Sequence, residues 1–294
     1  MARHKLENEL IAIEVEEHGA ELKSLVRKNT GKEYRWKADP KFWGRTSPVL
    51  FPFVGAVKDK QFRTKGQTYT MGQHGFARDT EFEQIAAGED FVTYRLCADE
   101  ESKKKYPFDF VLEITHRLEN DRLSIEWTVK NVDDKEMYFT IGGHPAFNVN
   151  ILPDTDFEDY SLVFKEGIET LSYILIDAES GTALTDKTYK LELTNSKYAL
   201  KKDMFDKDAL IFDNGQIEWV GLALPNGKPY IALESKNFPN FGIWSKPGAP
   251  YVCLEPWCGR CDNKGFQGEI SEKPGINTLK AGDVFKKSYD IIVY

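Results

Sequence analysis

The sequence has few cysteines and no long apolar run. Its 294 residues include four cysteines, too few and too clustered for a disulfide framework: Cys97, Cys253, Cys258 and Cys261. No apolar run reaches the length of a transmembrane helix, and residues 1–7 lack the apolar middle of a signal peptide. These absences predict a cytoplasmic protein that does not enter a membrane.

The motifs of several cofactor and nucleophile sites are also missing. The sequence has no glycine-rich loop that would hold a phosphate or dinucleotide, and no Gly-x-Ser-x-Gly turn that would present a nucleophilic serine. Cys258 and Cys261 form a single C-x-x-C, which is half of a zinc site; small residues packed in a turn are the simpler interpretation. We therefore expect chemistry without a cofactor or a metal.

Basic residues are outnumbered by acidic ones. Lys and Arg total 39 against 47 Asp and Glu, which gives a formal net charge of -8. Because nucleic acids and anionic membrane surfaces repel an acidic protein, neither is an expected partner. The balance leaves room for a local basic pocket, and a small molecule is the expected ligand.

Apolar and polar residues alternate over most of the chain. The clearest stretch places four apolar residues on one face of a predicted strand: Leu123, Ile125, Trp127 and Val129. The same alternation puts His116 on an apolar face, where we expect a core histidine. Residues 201–207 give the one predicted helix, and no repeat or linker is present. The pattern predicts one all-β domain over residues 1–294, mainly antiparallel with very little helix.

Two histidines stand where the alternation breaks. His144 follows Gly142 and Gly143, which we expect to adopt backbone conformations that other residues avoid, and precedes Pro145, which holds it in extended backbone. His74 stands before a glycine in a second break. Imidazole titrates near neutrality, so both are candidates for proton transfer or ligand binding. A structural turn whose histidine only satisfies a hydrogen bond explains the stretch around His144 equally well.

Carboxylates and arginines complete the candidate set. Glu255 ends an apolar strand before Pro256, a position where a carboxylate is costly unless it is paired or used. Arg45 offers bidentate contacts to a sugar hydroxyl or a phosphate, with a surface ion pair as the alternative. Asp79 either orients Arg78 toward a ligand or forms a structural pair with it. Asp213 closes an apolar run at a turn, which suits either polyol binding or an ordinary turn.

Three stretches, in this order, resemble the aldose 1-epimerase (galactose mutarotase) superfamily, and especially its LacX-like branch of bacterial proteins. They are Gln-His-Gly-Phe-Ala-Arg-Asp at 73–79, Gly-His-Pro-Ala-Phe-Asn at 143–148 and Leu-Glu-Pro-Trp at 254–257. The resemblance covers nearly the whole chain. It implies a galactose mutarotase-like β-supersandwich and the interconversion of the α and β anomers of an aldose.

The resemblance also implies a role for each residue. His144 matches the general acid that acts on the ring oxygen, and Glu255 matches the base that takes the proton of the C1 hydroxyl. His74 matches the histidine that binds the ring oxygen and the transient carbonyl. Arg45 matches a substrate-binding arginine, and Asp213 is aligned more loosely with a hydroxyl-binding aspartate.

The preferred sugar is less defined than the chemistry. Galactose-specific members carry other residues around both histidines, whereas the His-Gly-Phe-Ala-Arg string is similar to that of hexose-6-phosphate mutarotases. In those proteins arginines bind the phosphate, as Arg45 and Arg78 would here. The expected substrate is therefore a hexose or a hexose 6-phosphate, acted on by a monomer or homodimer.

Two other functions fit parts of the sequence. A catalytically silent carbohydrate-binding or regulatory protein on the same fold would bind sugar without changing its rate of anomer exchange. A glycoside hydrolase normally needs two carboxylates at the scissile bond, and only Glu255 stands out.

Overall fold

β-Strands are the main secondary structure of the chain. A computed structural model describes residues 2–294, of which 48% are strand and 6% helix. The strands of the N-terminal half are β1 Arg3–Glu7, β2 Ile11–Glu16, β3 Glu21–Arg27, β4 Lys32–Glu33, β5 Val49–Leu50, β6 Gln61–Thr64, β7 Gln67–Thr70, β8 Glu83–Ala87, β9 Phe91–Cys97, β10 Phe110–Glu119, β11 Arg122–Asn131, β12 Met137–Phe139, β13 Ile141–Gly143 and β14 Ala146–Asn148. The remaining strands are β15 Ser161–Phe164, β16 Thr170–Ile176, β17 Ala183–Glu192, β18 Lys197–Ala199, β19 Leu210–Phe212, β20 Trp219–Ala223, β21 Pro229–Glu234, β22 Asn240–Trp244, β23 Tyr251–Cys258, β24 Asn277–Leu279 and β25 Val284–Val293.

Helix is confined to short pieces. Within residues 2–294 the α-helix is α1, Glu100–Lys105, and single 3₁₀ turns cover Lys58–Lys60, Ala77–Asp79, Phe157–Asp159 and Ile270–Glu272. None of these helices has the length and apolar character that crossing a membrane requires.

The predicted helix over residues 201–207 is wrong. Its backbone closes separate three-residue turns, such as the amide of Met204 donating to the carbonyl of Lys201 at 3.1 Å. Aspartates within the segment favour turns because their side chains compete for backbone groups. The helix α1 forms instead because Asp99 caps it: its carboxylate accepts from the amide of Ser102 at 2.7 Å, and the Ser102 hydroxyl accepts from the Asp99 amide at 2.8 Å.

Two large antiparallel sheets contain most of the strands. The nine-stranded sheet has the order β18-β15-β20-β21-β25-β11-β10-β9-β8, and the other runs β17-β16-β19-β22-β23-β13-β5 with β14 also paired to β23. The two sheets face each other: a Cβ on Gly143 of β13 would lie 2.7 Å from the hydroxyl of Tyr289 on β25. The expectation of an all-β, mainly antiparallel fold is confirmed.

The core between the sheets follows the alternation in the sequence. The apolar face of β11 is buried, and Trp127 packs against Tyr289 with ring centroids 5.3 Å apart. His116 lies on the buried face of β10, and its Nε2 donates to the carbonyl of Ala20 at 3.1 Å. The prediction of a core histidine at this position is confirmed.

Strand β23 is buried on both faces: one face packs in the core, and the other carries Glu255 and Trp257. Val252, Leu254 and Cys258 join the core between the sheets. Because side chains alternate along a strand, the odd-numbered residues point to the opposite face: Tyr251, Cys253, Glu255 and Trp257. The expectation that Glu255 ends a strand is therefore wrong, since β23 continues through Pro256 to Cys258.

The break between β13 and β14 explains how Pro256 is accommodated. Ile141 and Gly142 pair with the end of β23, and Ala146 to Asn148 pair with its beginning. Opposite Pro256 the partner strand is interrupted by His144 and Pro145, so the missing amide of a proline breaks no ladder there. This interruption carries His144 out of the sheet.

The glycines before His144 are required for space. A Cβ on Gly142 would lie 2.5 Å from Cδ1 of Trp257, and one on Gly143 would meet Tyr289. Neither glycine has a positive φ. The two glycines therefore allow close packing, and the expectation that they adopt unusual backbone angles is wrong.

Candidate active site

A cavity of about 400 Å³ opens on the outer face of the eight-stranded sheet, above Glu255 and Trp257. Its walls come from the β13–β14 break, the loop 42–45, the turn 73–78, strand β23 and the segment 208–211. The cavity brings together five of the six residues that the sequence singled out: His144, Glu255, His74, Arg45 and Arg78. The sixth, Asp213, does not line it.

His144 and Glu255 form the centre of the cavity. Nδ1 of His144 lies 3.4 Å from Oε1 of Glu255, and the two residues are 7% and 1% exposed. The amide of His144 donates to the carbonyl of Pro48 at 3.1 Å, which fixes its backbone. The indole of Trp43 stacks on the imidazole at 4.7 Å. The imidazole and the carboxyl group are thus held side by side and largely buried.

Burial shifts both groups toward their neutral forms. It raises the pKa of Glu255 well above its usual range, and the charge of Asp208 adds to the rise. Burial, with the nearby charge of Arg78, lowers the pKa of His144 to about 3. Burial therefore disfavours an unpaired charge on either group.

His74 is fixed as a hydrogen-bond donor. Its backbone is left-handed, with φ of 67°, and its Nδ1 accepts from the amide of Gly55 at 3.0 Å. The neutral ring therefore carries its proton on Nε2. Its ring meets that of His144 edge-on at 5.6 Å, and burial, the neighbouring His144 and the two arginines lower the pKa of His74 well below its usual value.

The two arginines share one carboxylate. Arg45 donates from Nη2 to Asp79 at 2.7 Å, and Nε of Arg78 lies 3.7 Å from the other oxygen of Asp79. Arg78 also donates from Nη2 to the carbonyl of Gln73 at 2.8 Å. Burial, with repulsion from Arg45, lowers the pKa of Arg78 to about 10. Both of the ion pairs foreseen as alternatives exist, and they hold the arginines at the cavity wall.

Asp213 belongs to a different network. Its carboxylate accepts from Nε of Arg260 at 3.0 and 3.1 Å and from Nδ2 of Asn240 at 2.7 Å. Asp208 lines the cavity instead, in left-handed backbone with φ of 72°. Asp208 and Asp213 flank the same apolar strand, β19, and the sequence offers no signal that tells which end faces the cavity.

Four buried polar atoms in the cavity wall have no hydrogen-bond partner among residues 2–294. Two are donors, Nε of Arg78 and Nε1 of Trp257, and two are oxygen or nitrogen acceptors, Oε2 of Glu255 and Nδ1 of His144. Buried polar groups are rarely left unpaired, so this concentration indicates a ligand that both donates and accepts. Hydroxyl groups do both.

Aromatic residues complete the walls, and most of them were not predicted as site residues from the sequence. Trp43, Trp244 and Trp257 line the cavity, and Trp244 meets His144 edge-on at 5.6 Å. Lys246 lines it as well and makes no salt bridge within residues 2–294. The signal available in the sequence was a tryptophan beside a polar motif. Because the tryptophans are far apart along the chain, the sequence did not show that they meet in one cavity.

The cysteines do not form the zinc site that a C-x-x-C suggests. Cys258 and Cys261 are buried free thiols, and no third ligand joins them in the part of the chain that the structure describes. The ligand atoms that do converge in residues 2–294 belong to His144, Cys253 and Glu255, all within 4.8 Å of one another.

The fold is a galactose mutarotase-like β-sandwich, and the cavity brings imidazoles, a buried carboxylate and unpaired hydrogen-bonding atoms together on one face of it. The chain belongs to the aldose 1-epimerase family, whose model matches residues 3–289. It is 31% identical over 297 residues to the chromosomal protein LacX of Lactococcus lactis subsp. lactis, with 98% of each chain covered.

Solved structures give the same result. A galactose mutarotase related enzyme from Lactobacillus acidophilus superposes with a TM-score of 0.94 at 33% identity, covering 100% of this chain and 97% of that one. A galactose mutarotase-like protein from Lactobacillus casei superposes with a TM-score of 0.90 at 32% identity, covering all of both chains. The predicted galactose mutarotase-like fold and family are confirmed.

Proposed function

We propose that this protein is an aldose 1-epimerase that interconverts the α and β anomers of a hexose or hexose 6-phosphate by opening and reclosing the ring. The observation that carries the proposal is the set of unpaired buried atoms around His144 and Glu255. A sugar that enters the cavity brings hydroxyls to these atoms and places its reactive end between the acid and the base.

Ring opening moves two protons. Glu255 takes the proton of the C1 hydroxyl, and His144 gives a proton to the ring oxygen. The C1–C2 bond then turns, and the ring closes on the other face of C1 with the two roles reversed. The His144–Glu255 pair needs one proton for this cycle, and the 3.4 Å between Nδ1 and Oε1 allows a small movement to pass it between them.

The remaining residues bind and orient the sugar. The Nε2 proton of His74 stabilises the oxygen that becomes a carbonyl as the ring opens. Asp208, rather than Asp213, is the carboxylate available at the cavity to accept from sugar hydroxyls. The tryptophans supply flat apolar walls against the C–H faces of the ring.

A phosphorylated sugar is supported by the charges at the cavity. Arg45, Arg78 and Lys246 bring three cationic side chains to its wall, against Asp208 and the Asp79 that holds both arginines. Arg45 remains 31% exposed with donors to spare. A phosphate on C6 would be bound bidentately by the arginines, with the Lys246 ammonium as a further positive charge.

Anomer exchange measured by NMR saturation transfer tests the proposal. The substrates are glucose, galactose and their 6-phosphates, and the variants are Glu255→Gln and His144→Asn. We expect the protein to accelerate exchange and each variant to lose about 10²–10⁴-fold of that acceleration. His116→Gln, a change of a buried histidine outside the cavity, is the matched control and should retain it.

Two results would contradict the proposal. If folded protein accelerates exchange for no sugar tried, the enzyme assignment fails. If one sugar binds saturably without faster exchange, the protein is a silent carbohydrate-binding or regulatory protein on this fold.

We extend the proposal to the setting of the enzyme. One domain over residues 1–294 is supported by the family match across residues 3–289. A cytoplasmic location is supported by four free cysteines, three of them buried. The acidic net charge of -8 supports a sugar or sugar phosphate as the partner rather than nucleic acid or membrane, with a monomer or homodimer as the working unit.

A further inference from the structure

A thiol lies beside the acid–base pair and takes no part in the proposed reaction. Cys253 and Glu255 point to the same face of β23 because they are two residues apart on one strand. The β13–β14 break brings His144 against them, so that the imidazole nitrogen, the thiol sulfur and a carboxylate oxygen lie within 4.8 Å of one another. All three residues are less than 8% exposed.

These donors are available to a ligand. Nδ1 of His144 and Oε2 of Glu255 have no hydrogen-bond partner within the protein, and the Cys253 thiol is not in a disulfide. The carboxylate of Glu255 makes no salt bridge to lysine or arginine in residues 2–294. A buried donor set without internal partners favours a bound cation.

The neighbouring charges act in both directions. The guanidinium of Arg35, fully buried, lies near Cys253; it favours the thiolate and so offsets part of the rise in the thiol pKa that burial causes. The same positive charge opposes a cation, and so do Arg78 and Arg45 beyond His144. A cation bound here must gain enough from its ligands to overcome this repulsion, which favours strong thiolate ligation over weak oxygen ligation.

The donor types and their spacing match zinc. Zn²⁺ accepts Cys sulfur, His nitrogen and carboxylate oxygen at roughly 2.0–2.3 Å, so that ligand atoms in a tetrahedral site lie roughly 3.3–3.6 Å apart. The observed group needs only a small inward movement to reach that size. Three protein ligands would leave the fourth position open toward the cavity.

We propose that His144, Cys253 and Glu255 bind Zn²⁺ and that the bound ion inhibits the enzyme by occupying its acid–base pair. Both groups coordinate as anions, so binding releases to solvent the thiol proton of Cys253 and any proton carried by the Glu255 carboxyl group. Zinc binding does not depend on the function proposed above, whereas the inhibition rests on that function.

Cobalt binding tests the site without any measurement of activity. Metal-free protein is titrated with Co²⁺, whose bond to a thiolate gives a charge-transfer band in the near ultraviolet. We expect one equivalent to produce the band, Zn²⁺ to displace it, and Cys253→Ser to abolish it. Cys258→Ser and Cys261→Ser are matched controls that should keep it. A band lost in these controls and kept in Cys253→Ser would overturn the proposal.

X-ray absorption at the zinc edge of the wild-type protein covers the case in which Cys253→Ser does not fold. The proposed site predicts one sulfur and at least two nitrogen or oxygen neighbours. Two sulfur neighbours would assign the ion to the C-x-x-C instead, and no bound zinc in folded protein would refute the site.

Inhibition is tested by anomer exchange. One equivalent of Zn²⁺ should slow the wild-type protein at least 10-fold, and a chelator should restore the rate. Cys253→Ser should keep its basal rate and resist the metal. Zinc that binds at this site without slowing exchange would overturn the inhibition, whereas a protein with no exchange at all would refute the proposed function and leave the cobalt result standing.

Discussion

The indole of Trp43 stacks on the imidazole of His144, with ring centroids 4.7 Å apart and 28° between the planes. Trp43 is held in turn by Trp36, whose Nε1 donates to the carbonyl of Trp43 at 2.9 Å. The loop that carries Trp43 thus serves as one wall for the imidazole of His144. A ring fixed on its flat side keeps Nδ1 directed at Glu255.

Trp43→Ala should therefore slow anomer exchange through the position of His144. A stacked aromatic pair contributes about 0.5–1.5 kcal/mol, which corresponds to a loss of roughly 2–10-fold in kcat. Trp43→Phe keeps a flat ring and should recover most of it. Saturation-transfer kinetics at several sugar concentrations separate kcat from KM. Equal rates for the alanine variant and the wild type would show that the stack does not position His144.

Asp208 and Asp213 form a matched pair for testing which carboxylate meets the sugar. Asp208→Asn removes a charge from the cavity and should raise KM about 10-fold with little effect on stability. Asp213→Asn weakens the ion pair with Arg260, which is 8% exposed, and should cost about 1–3 kcal/mol of unfolding free energy with KM unchanged. Denaturant unfolding and exchange kinetics on both variants check this. The reverse pattern would show that Asp213, and not Asp208, contacts the sugar.

The sequence predicts those parts of the site that local patterns mark, and it misses those that depend on contacts between distant strands. His74 and His144 are recognisable because glycine and proline mark breaks in the strand pattern, and each break is visible within one short stretch of sequence. The alternation along β11 predicts its buried face for the same reason. Asp208, Trp43 and Cys253 were missed because their importance depends on which strands lie side by side, and local pattern carries no register between distant strands.

The errors have the same origin. Pro256 reads locally as the end of a strand, yet β23 passes through it because the neighbouring strand is interrupted opposite that point. Gly142 reads as a flexible position, yet it is small because Trp257 lies against it. In both cases a tertiary contact, absent from the local sequence, sets the role of the residue.

Arg45→Gln should separate free sugars from phosphorylated ones. If the 6-phosphate contacts Arg45, losing the guanidinium should lower kcat/KM for hexose 6-phosphates about 10-fold or more and leave free hexoses within about two-fold. Lysine at this position should recover only part of the loss, because it cannot form the bidentate contact. Competition kinetics with glucose and glucose 6-phosphate provide the measurement. An equal loss for both sugars would assign Arg45 to the hydroxyls or to the cavity wall.

His116 should make the protein less stable in mild acid. Burial lowers its pKa to about 4, against about 6.5 in an unfolded chain, so between these values the unfolded state binds more protons and stability falls as the pH falls. The full effect is about 3 kcal/mol at most. His116→Gln can still donate to the Ala20 carbonyl but cannot take up a proton, so its unfolding free energy should decline less between pH 6.5 and 4. Denaturant titrations of both proteins across this pH range measure the difference between their unfolding free energies. The contributions of the other titrating groups are the same in both proteins and cancel in this difference. Parallel curves would show that His116 is protonated in the folded state as easily as in the unfolded one.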